Sequence, residues 1–471
     1  MTEVVAGVDL GTTVTKAVLT RPDGSTVAFA RNPTTWTQTP DGRLETTGAA
    51  LVADVLRTLE DAVGQVEGDV QVAGIGIAGL AESGTILDAY GRETSPVIAW
   101  FDERGAAELK GQGNQFVADF PRRTGLPVGS QWSLPKLLWM RGAGIGLDKT
   151  SRWLNMPEFV AYVLTGERIS EPSLASRTGL LDQATGQPWT EALDRIGVGP
   201  EFLPETRPAG QPAGLVRRGI GIPALEGAAV TVAGHDHPVA AIGAGATGPA
   251  DLFDSCGTAE VLLRSVPRIL TDDERATLVG LGIDAGRHVL PDHAVLIGGM
   301  RSGLVMRRVL ALVGADGPKR RDDLDRRWQP DAPVGDALTV VGAAMHDNDV
   351  TLRIRDGASP DLLWAATLKH LGEQTAALLA AVNSVVGEHR TAVAAGGWTR
   401  MASVRRAKAA VIPRLRISEL EQPGARGAAM FGACAAYDIP LDKVTRQFLD
   451  TVDRADVTAV ATAASTRKDN A

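Results

Sequence analysis

The sequence predicts an α/β protein of two lobes of like design, with a cleft between them. Three observations lead there. Strand-like and helix-like patterns alternate along the chain, which indicates α/β layering. Near the N-terminus, Val4 to Leu19 reads as two apolar strands around the polar turn Asp9-Leu10-Gly11-Thr12-Thr13. The stretch Asp251 to Leu263, with Gly257-Thr258 at its turn, repeats that design about halfway along the chain.

The elements follow in order. Asp23-Gly24 reads as a turn and Thr26 to Ala30 as the next strand. Leu51, Val52, Val55, Leu56 and Leu59 recur at helical spacing, so Gly48 to Val63 is expected as an amphipathic helix. Val70 to Ala78 is a short buried strand followed by the loop Gly79-Leu80-Ala81-Glu82-Ser83-Gly84, and Thr85 to Asp88 continues as strand. Pro96 to Trp100 leads into Phe101-Asp102-Glu103-Arg104, and Leu134 to Leu164 reads as mostly helical. A polar loop with Ser170, Ser173, Ser176 and Arg177 follows, then Pro- and Gly-rich connecting chain from Pro204 to Pro223. The strand Ala228 to Ala233 runs into Gly234-His235-Asp236-His237. After the second hairpin, Trp364 to Val386 is a long helical pattern, Ala392 to Ala395 a strand and Gly396-Gly397 a turn. The tail beyond about Val457 reads as frayed.

Composition narrows the function. The 471 residues suffice for two or three domains, and a net charge of −8 argues against a general nucleic-acid binder. Two cysteines, Cys256 and Cys434, build neither a disulfide framework nor a cysteine-rich zinc site. Apolar runs fall short of the ~20 residues that a membrane span needs. The N-terminus is not expected to be a signal peptide, because no basic region precedes an apolar core. A cytoplasmic protein is the expectation. The oligomeric state stays open, a homodimer being the commonest assembly.

At the first turn, Gly11 lets backbone N–H groups approach a ligand, Thr12 and Thr13 add hydroxyls, and Asp9 offers a carboxylate for Mg²⁺. The chain has no G-x-x-x-x-G-K-[ST] phosphate loop. An ordinary hairpin with a polar tip is the plain alternative.

The ordered series D-L-G-T-T, W-F-D-E-R, L-T-G-E, G-H-D-H, S-C-G-T-A-E and A-A-G-G-W resembles the FGGY carbohydrate kinases, from about Val4 to Tyr437. That family belongs to the sugar kinase, actin and heat-shock-chaperone ATPase superfamily. The resemblance implies a ribonuclease H-like core in each lobe: a sugar-binding domain over 1–244, a nucleotide-binding domain over 245–437, then a C-terminal helix and tail over 438–471. It implies ATP and Mg²⁺ as cofactors. It also implies Asp236 as catalytic base, Asp9 as the Mg²⁺ residue, Gly11, Thr12, Thr13 and Lys16 as the first phosphate grip, and Gly257 and Thr258 as the second. Gly396 and Gly397 match the adenosine-side turn, and Gly298 and Gly299 fit the same wall.

A sugar hydroxyl is a poor nucleophile at neutral pH, so a carboxylate that takes its proton assists transfer. Glu82, Asp102, Trp100 and His237 are the candidate sugar contacts, since carboxylates and imidazole read hydroxyls and an aromatic face covers C–H surface. Each has a plainer alternative: Asp102 could pair with Arg104, Trp100 could be core, and Lys16 could be an exposed strand lysine. His235, Asp236 and His237 lie too close in sequence to form a metal site alone.

The chain departs from the family pattern in places. Ala81-Glu82 stands where xylulose-phosphorylating members tend to show Met-His and glycerol kinases Arg-Glu. Residues 341–349 replace the usual G-E-R-x-P segment, and the usual Gln and Asp are missing near Ala407-Lys408. The expected activity is phosphorylation of a small ketose, pentulose-like, or of an alditol. A sugar-acid kinase ranks below it, because no Arg adjoins Glu82 in sequence. A non-catalytic ATP or sugar sensor and an actin-like polymer are the alternatives from other classes.

Overall fold

The structure, a computed structural model, describes residues 2–343 and 349–449. Most of the altered 341–349 loop and the tail expected to fray lie outside the described residues. Two compact units divide the chain. The first takes the residues up to Gly245, Gly286–Asp292 and the chain from Leu420, and the second takes Ala246–Ala285 and His293–Glu419. No described helix is long and apolar enough to cross a membrane.

The first unit begins with β1 (Thr2–Leu10), β2 (Val14–Thr20) and β3 (Thr26–Pro33). Helix α1 (Gly48–Val63) starts at Thr47, whose side chain accepts a bond from Ala50 N, and it buries Leu51, Val55 and Leu59. β4 (Val70–Gly79) follows. The stretch Leu134 to Leu164, expected to be mostly helical, is helical over Ser133–Gly142 and Met156–Thr165 and interrupted between them. Arg152–Asn155 is a strand paired antiparallel with Gly84–Leu87. Asn155 stops any helix upstream, because it caps α2 (Met156–Thr165) in a reciprocal box with Glu158. β5 (Gly214–Leu215), β6 (Ala229–His235) and α3 (Asp236–Gly243) complete this part. The sheet order is β5-β6-β4-β1-β2-β3, with β1, β4 and β6 parallel.

The second unit holds β7 (Leu252–Cys256), β8 (Glu260–Val266) and β10 (Ala294–Met300), with the first two residues of β9 (Asp284–Arg287). Helices α4 (Ser302–Leu312) and α5 (Pro360–Val386) follow, then β11 (Ala392–Ala395), α6 (Ala402–Val411) and β12 (Leu415–Ile417). Its order is β9-β10-β8-β7-β11-β12. With β9 set aside, five strands run third-second-first-fourth-fifth, as β3-β2-β1-β4-β6 do in the first unit. This is the ribonuclease H-like arrangement in both.

Helix α7 (Pro423–Tyr437), within the bounds expected for the second domain, belongs to the first unit. Its small-residue face lies directly on strand glycines. A Cβ on Gly76 would stand 1.8 Å from the Ala428 carbonyl oxygen, and one on Gly7 2.0 Å from that of Ala425. Backbone thus meets backbone, a fit that only glycine permits on the strand side. Residues 441–449 are helical as well.

Candidate active site

In an α/β sheet, ligands gather at the carboxyl ends of parallel strands. Here β1, β4 and β6 end together: Asp9 lies opposite Ala78, and Ala78 opposite Gly234. At the ordinary strand spacing, Asp9 and Gly234 are about 10 Å apart. The loop holding Glu82 leaves β4 between them, tied by a bond from Leu80 N to Leu10 O at 2.9 Å.

Asp236 opens α3 directly after β6, where the helix N-terminus favours negative charge. Gly234 before it has φ +112, and a Cβ there would run into Ser173 Oγ, Val289 and Glu171. His235 N donates to Ser173 Oγ at 2.9 Å. The Oδ1 of Asp236 sits 3.2 Å from His235 Nε2 and 4.0 Å from His237 Nε2. Surrounding protein pushes the Asp236 carboxyl above its usual range; His237 works against this and the charge of Asp9 adds to it. About 29% of the side chain stays exposed, enough for a ligand to reach it. His235 is held neutral, first by burial and then by the charge of Arg177.

Although sequence spacing argues against a metal set at His235-Asp236-His237, their ligand atoms all lie within 4.8 Å of one another. Two imidazoles suit softer ions than Mg²⁺, which prefers oxygen ligands. Asp9 offers carboxylate oxygens, the donor type that Mg²⁺ prefers. Its Oδ2 receives Lys16 Nζ at 3.1 Å, so Lys16 is paired at the strand end.

The turn Gly11-Thr12-Thr13 is fixed from behind. Thr34 Oγ1 donates to Gly11 O at 2.7 Å, Trp36 Nε1 to Thr12 O at 2.7 Å, and Thr34 N to Thr13 O at 3.0 Å. Trp100 is neither plain core nor a bare platform. Its Nε1 donates to Thr12 Oγ1 at 2.9 Å, joining its own loop to the turn.

Asp102 requires a correction. Its Oδ1 accepts Arg104 N and Nε, both at 2.9 Å, and its Oδ2 accepts Arg104 Nη2 at 3.0 Å and Leu44 N at 3.2 Å. Burial opposes ionisation, yet the Arg104 bonds hold the carboxyl below its usual range. Four donors fill the carboxylate, so it braces the loop rather than reads a substrate. Beneath it the buried Lys136 donates to the carbonyls of Asp102, Ser130 and Arg104, and burial lowers its ammonium to about 8.

Glu82 has φ +52, a left-handed conformation costly for a residue with a Cβ and typical of functional loops. Its Oε1 accepts Arg177 Nε at 2.7 Å. Arg177, expected only as part of a polar loop, is buried with its guanidinium 4.6 Å from the Trp132 ring centre. The rest of that loop is buried too, around a helical turn at Pro172–Ala175. Ser170 Oγ and Glu171 N donate to Glu158, and Ser173 to Glu171.

In the second unit, Gly257 and Thr258 form the turn between β7 and β8. Gly303, in the first turn of α4, packs on it: a Cβ there would fall 2.1 Å from Gly257 O. Gly396, with φ +123, would place a Cβ 2.5 Å from Cys256 O, while nothing lies within 4 Å of one on Gly397. Gly298 is a second correction, because a Cβ there would strike Leu378 of α5. It is a packing glycine. Gly299 follows it in β10, partly exposed and paired with Val261.

Sequence reasoning missed a buried charge cluster below this turn. Lys408 of α6 donates to Glu260 and to Thr375 Oγ1 (3.1 Å) and lies 3.4 Å from Asp254 Oδ2. Burial raises Asp254 to about 7, with Lys408 opposing and Glu260 reinforcing. Lys408 shares the buried face of its helix with Val404, a misplaced charge in an apolar stripe that could have signalled an internal partner.

Residues 4–243 match the sequence profile of the N-terminal domain of the FGGY family of carbohydrate kinases. Over 323 residues the chain is 27% identical to a xylulose kinase of Streptomyces coelicolor, covering 66% of this chain but only 63% of that protein's length. It is 28% identical to a glycerol kinase of Methylobacterium nodulans over 409 residues, 82% of this chain and 79% of the relative. Its fold is similar to that of a ligand-bound xylulose kinase from Lactobacillus acidophilus, with TM-score 0.82 at 19% identity, over 94% of this chain and 92% of that one.

Proposed function

Because the chain belongs to the FGGY family of carbohydrate kinases, we propose that it phosphorylates a hydroxyl of a small ketose, pentulose-like, or of an alditol, at the expense of ATP. The observation that carries this reading is the carboxylate of Asp236 on the same sheet end as Asp9 and Lys16, whose charges it feels. Asp236 accepts the hydroxyl proton as the sugar oxygen bonds to phosphorus and ADP departs. Glu82 and His237 read neighbouring hydroxyls, and Trp100 holds Thr12 in place. Lys16 stabilises charge on the phosphate oxygens. Mg²⁺, when bound with the nucleotide, offsets phosphate charge, with Asp9 as its protein ligand.

On this reading the first unit holds the sugar, and the second holds the nucleotide at Gly257, Thr258, Gly396, Gly397 and Gly299. A homodimer in the cytoplasm belongs to the same proposal, and light scattering of the purified chain tests the dimer. The deciding experiment for activity is Asp236→Asn. The variant should fold and bind ATP but lose transfer, by roughly 100-fold or more for removal of a general base. Full activity in that variant would exclude the role.

A further inference from the structure

We propose that Glu82, by occupying Arg177, makes this site select neutral polyols and ketoses over sugar acids; the inference rests on the kinase reading above. Three observations carry it. Arg177 Nε meets Glu82 Oε1 at 2.7 Å, with 8% of each side chain exposed. The guanidinium is fixed over Trp132, itself almost fully buried. The pair also lies on the elements around the candidate base: the Glu82 loop follows β4, which stands between β1 and β6, and Ser173, in the loop that carries Arg177, accepts His235 N at 2.9 Å.

A buried guanidinium is a carboxylate receptor, because its planar fork matches two oxygens. In this chain the receptor is already filled by an acid from its own loop. The loop is locked to hold it there: Glu82 sits at φ +52 and its carbonyl accepts Ser133 Oγ at 2.9 Å. A sugar carboxylate arriving at this pair would meet the Glu82 charge and find the fork engaged. Hydroxyl groups can instead donate to Glu82 and accept from Arg177. Discrimination therefore comes from a repulsive element as well as an attractive one. Removing one partner of a buried ion pair leaves the other uncompensated. Glu82→Gln should then turn the same position into an anion site.

The test is a comparison of pentitols and pentuloses with five- and six-carbon aldonates, on the full chain. Wild type should favour the neutral class, and a preference for aldonates overturns the inference without any variant. In Glu82→Gln the ratio of kcat/KM for aldonate to that for the neutral substrate should rise roughly 10- to 100-fold, as for one charged hydrogen bond. Calorimetry with gluconate should show binding tightened by a similar factor. An unchanged ratio and unchanged binding in a folded Glu82→Gln protein overturn the inference. In the double variant Glu82→Gln with Arg177→Met the gain should vanish; its persistence would mean that another cation is responsible, which also overturns it. A wild type that phosphorylates neither class defeats the kinase reading instead, while gluconate calorimetry still judges the pair.

Discussion

At Asp236, chemistry and environment meet in one side chain. Its carboxyl is raised by burial and by Asp9, with His237 opposing. In the proposed role the ionised form is the base, so activity should rise with pH through a limb displaced above the ordinary carboxylate range. A kcat/KM profile checks this, and the limb should disappear in Asp236→Asn. At Asp102 the residue scale corrects a sequence expectation. Filled by Arg104 and two backbone donors, its carboxylate is a strut. Asp102→Asn should weaken the charged bonds of Arg104, which keeps Glu45 as a partner at 2.7 Å, and cost about 1–3 kcal/mol of stability, measured by urea unfolding.

Among the elements, α7 against β4 and β1 is the contact with least tolerance. Gly76 has no room for a methyl group, the Ala428 carbonyl oxygen standing 1.8 Å from where it would be. Gly76→Ala should therefore destabilise by about 1–3 kcal/mol, the usual range for overpacking, and shift the midpoint of chemical denaturation. Gly113 offers the contrast in space alone, since nothing lies within 4 Å of its added Cβ. Both hairpins and α1 were legible in the sequence, because their apolar periodicity and turn residues are local signals. The strand Arg152–Asn155 was not. Its four residues sit between two helices, and only pairing with Gly84–Leu87 makes it a strand.

For the molecule as a whole, buried carboxyls set the response to pH. Burial raises Glu158 to about 7 and Glu171 to about 8, and each accepts several hydrogen bonds from its neighbours. A raised carboxyl keeps its proton in the folded chain after the unfolded chain has lost it. The folded state then binds more protons, so these groups make stability fall as pH rises from about 4.5 to about 8. Glu171→Gln should flatten that slope in melting temperature measured across the interval. Arg177 was read only as a polar-loop residue for a related reason. Its partner is 95 residues away, and no local pattern records such a pair.

The chain alone determined its α/β class, its two hairpins and its family, because these rest on short-range pattern and ordered motifs. Tertiary structure decided which charges are spent. Asp102 is filled by Arg104, Glu82 meets Arg177, Lys408 meets Asp254 and Glu260, and α7 returns to the first sheet. The physical reason is burial: a charge removed from water must find a partner, and folding chooses that partner from anywhere in the sequence.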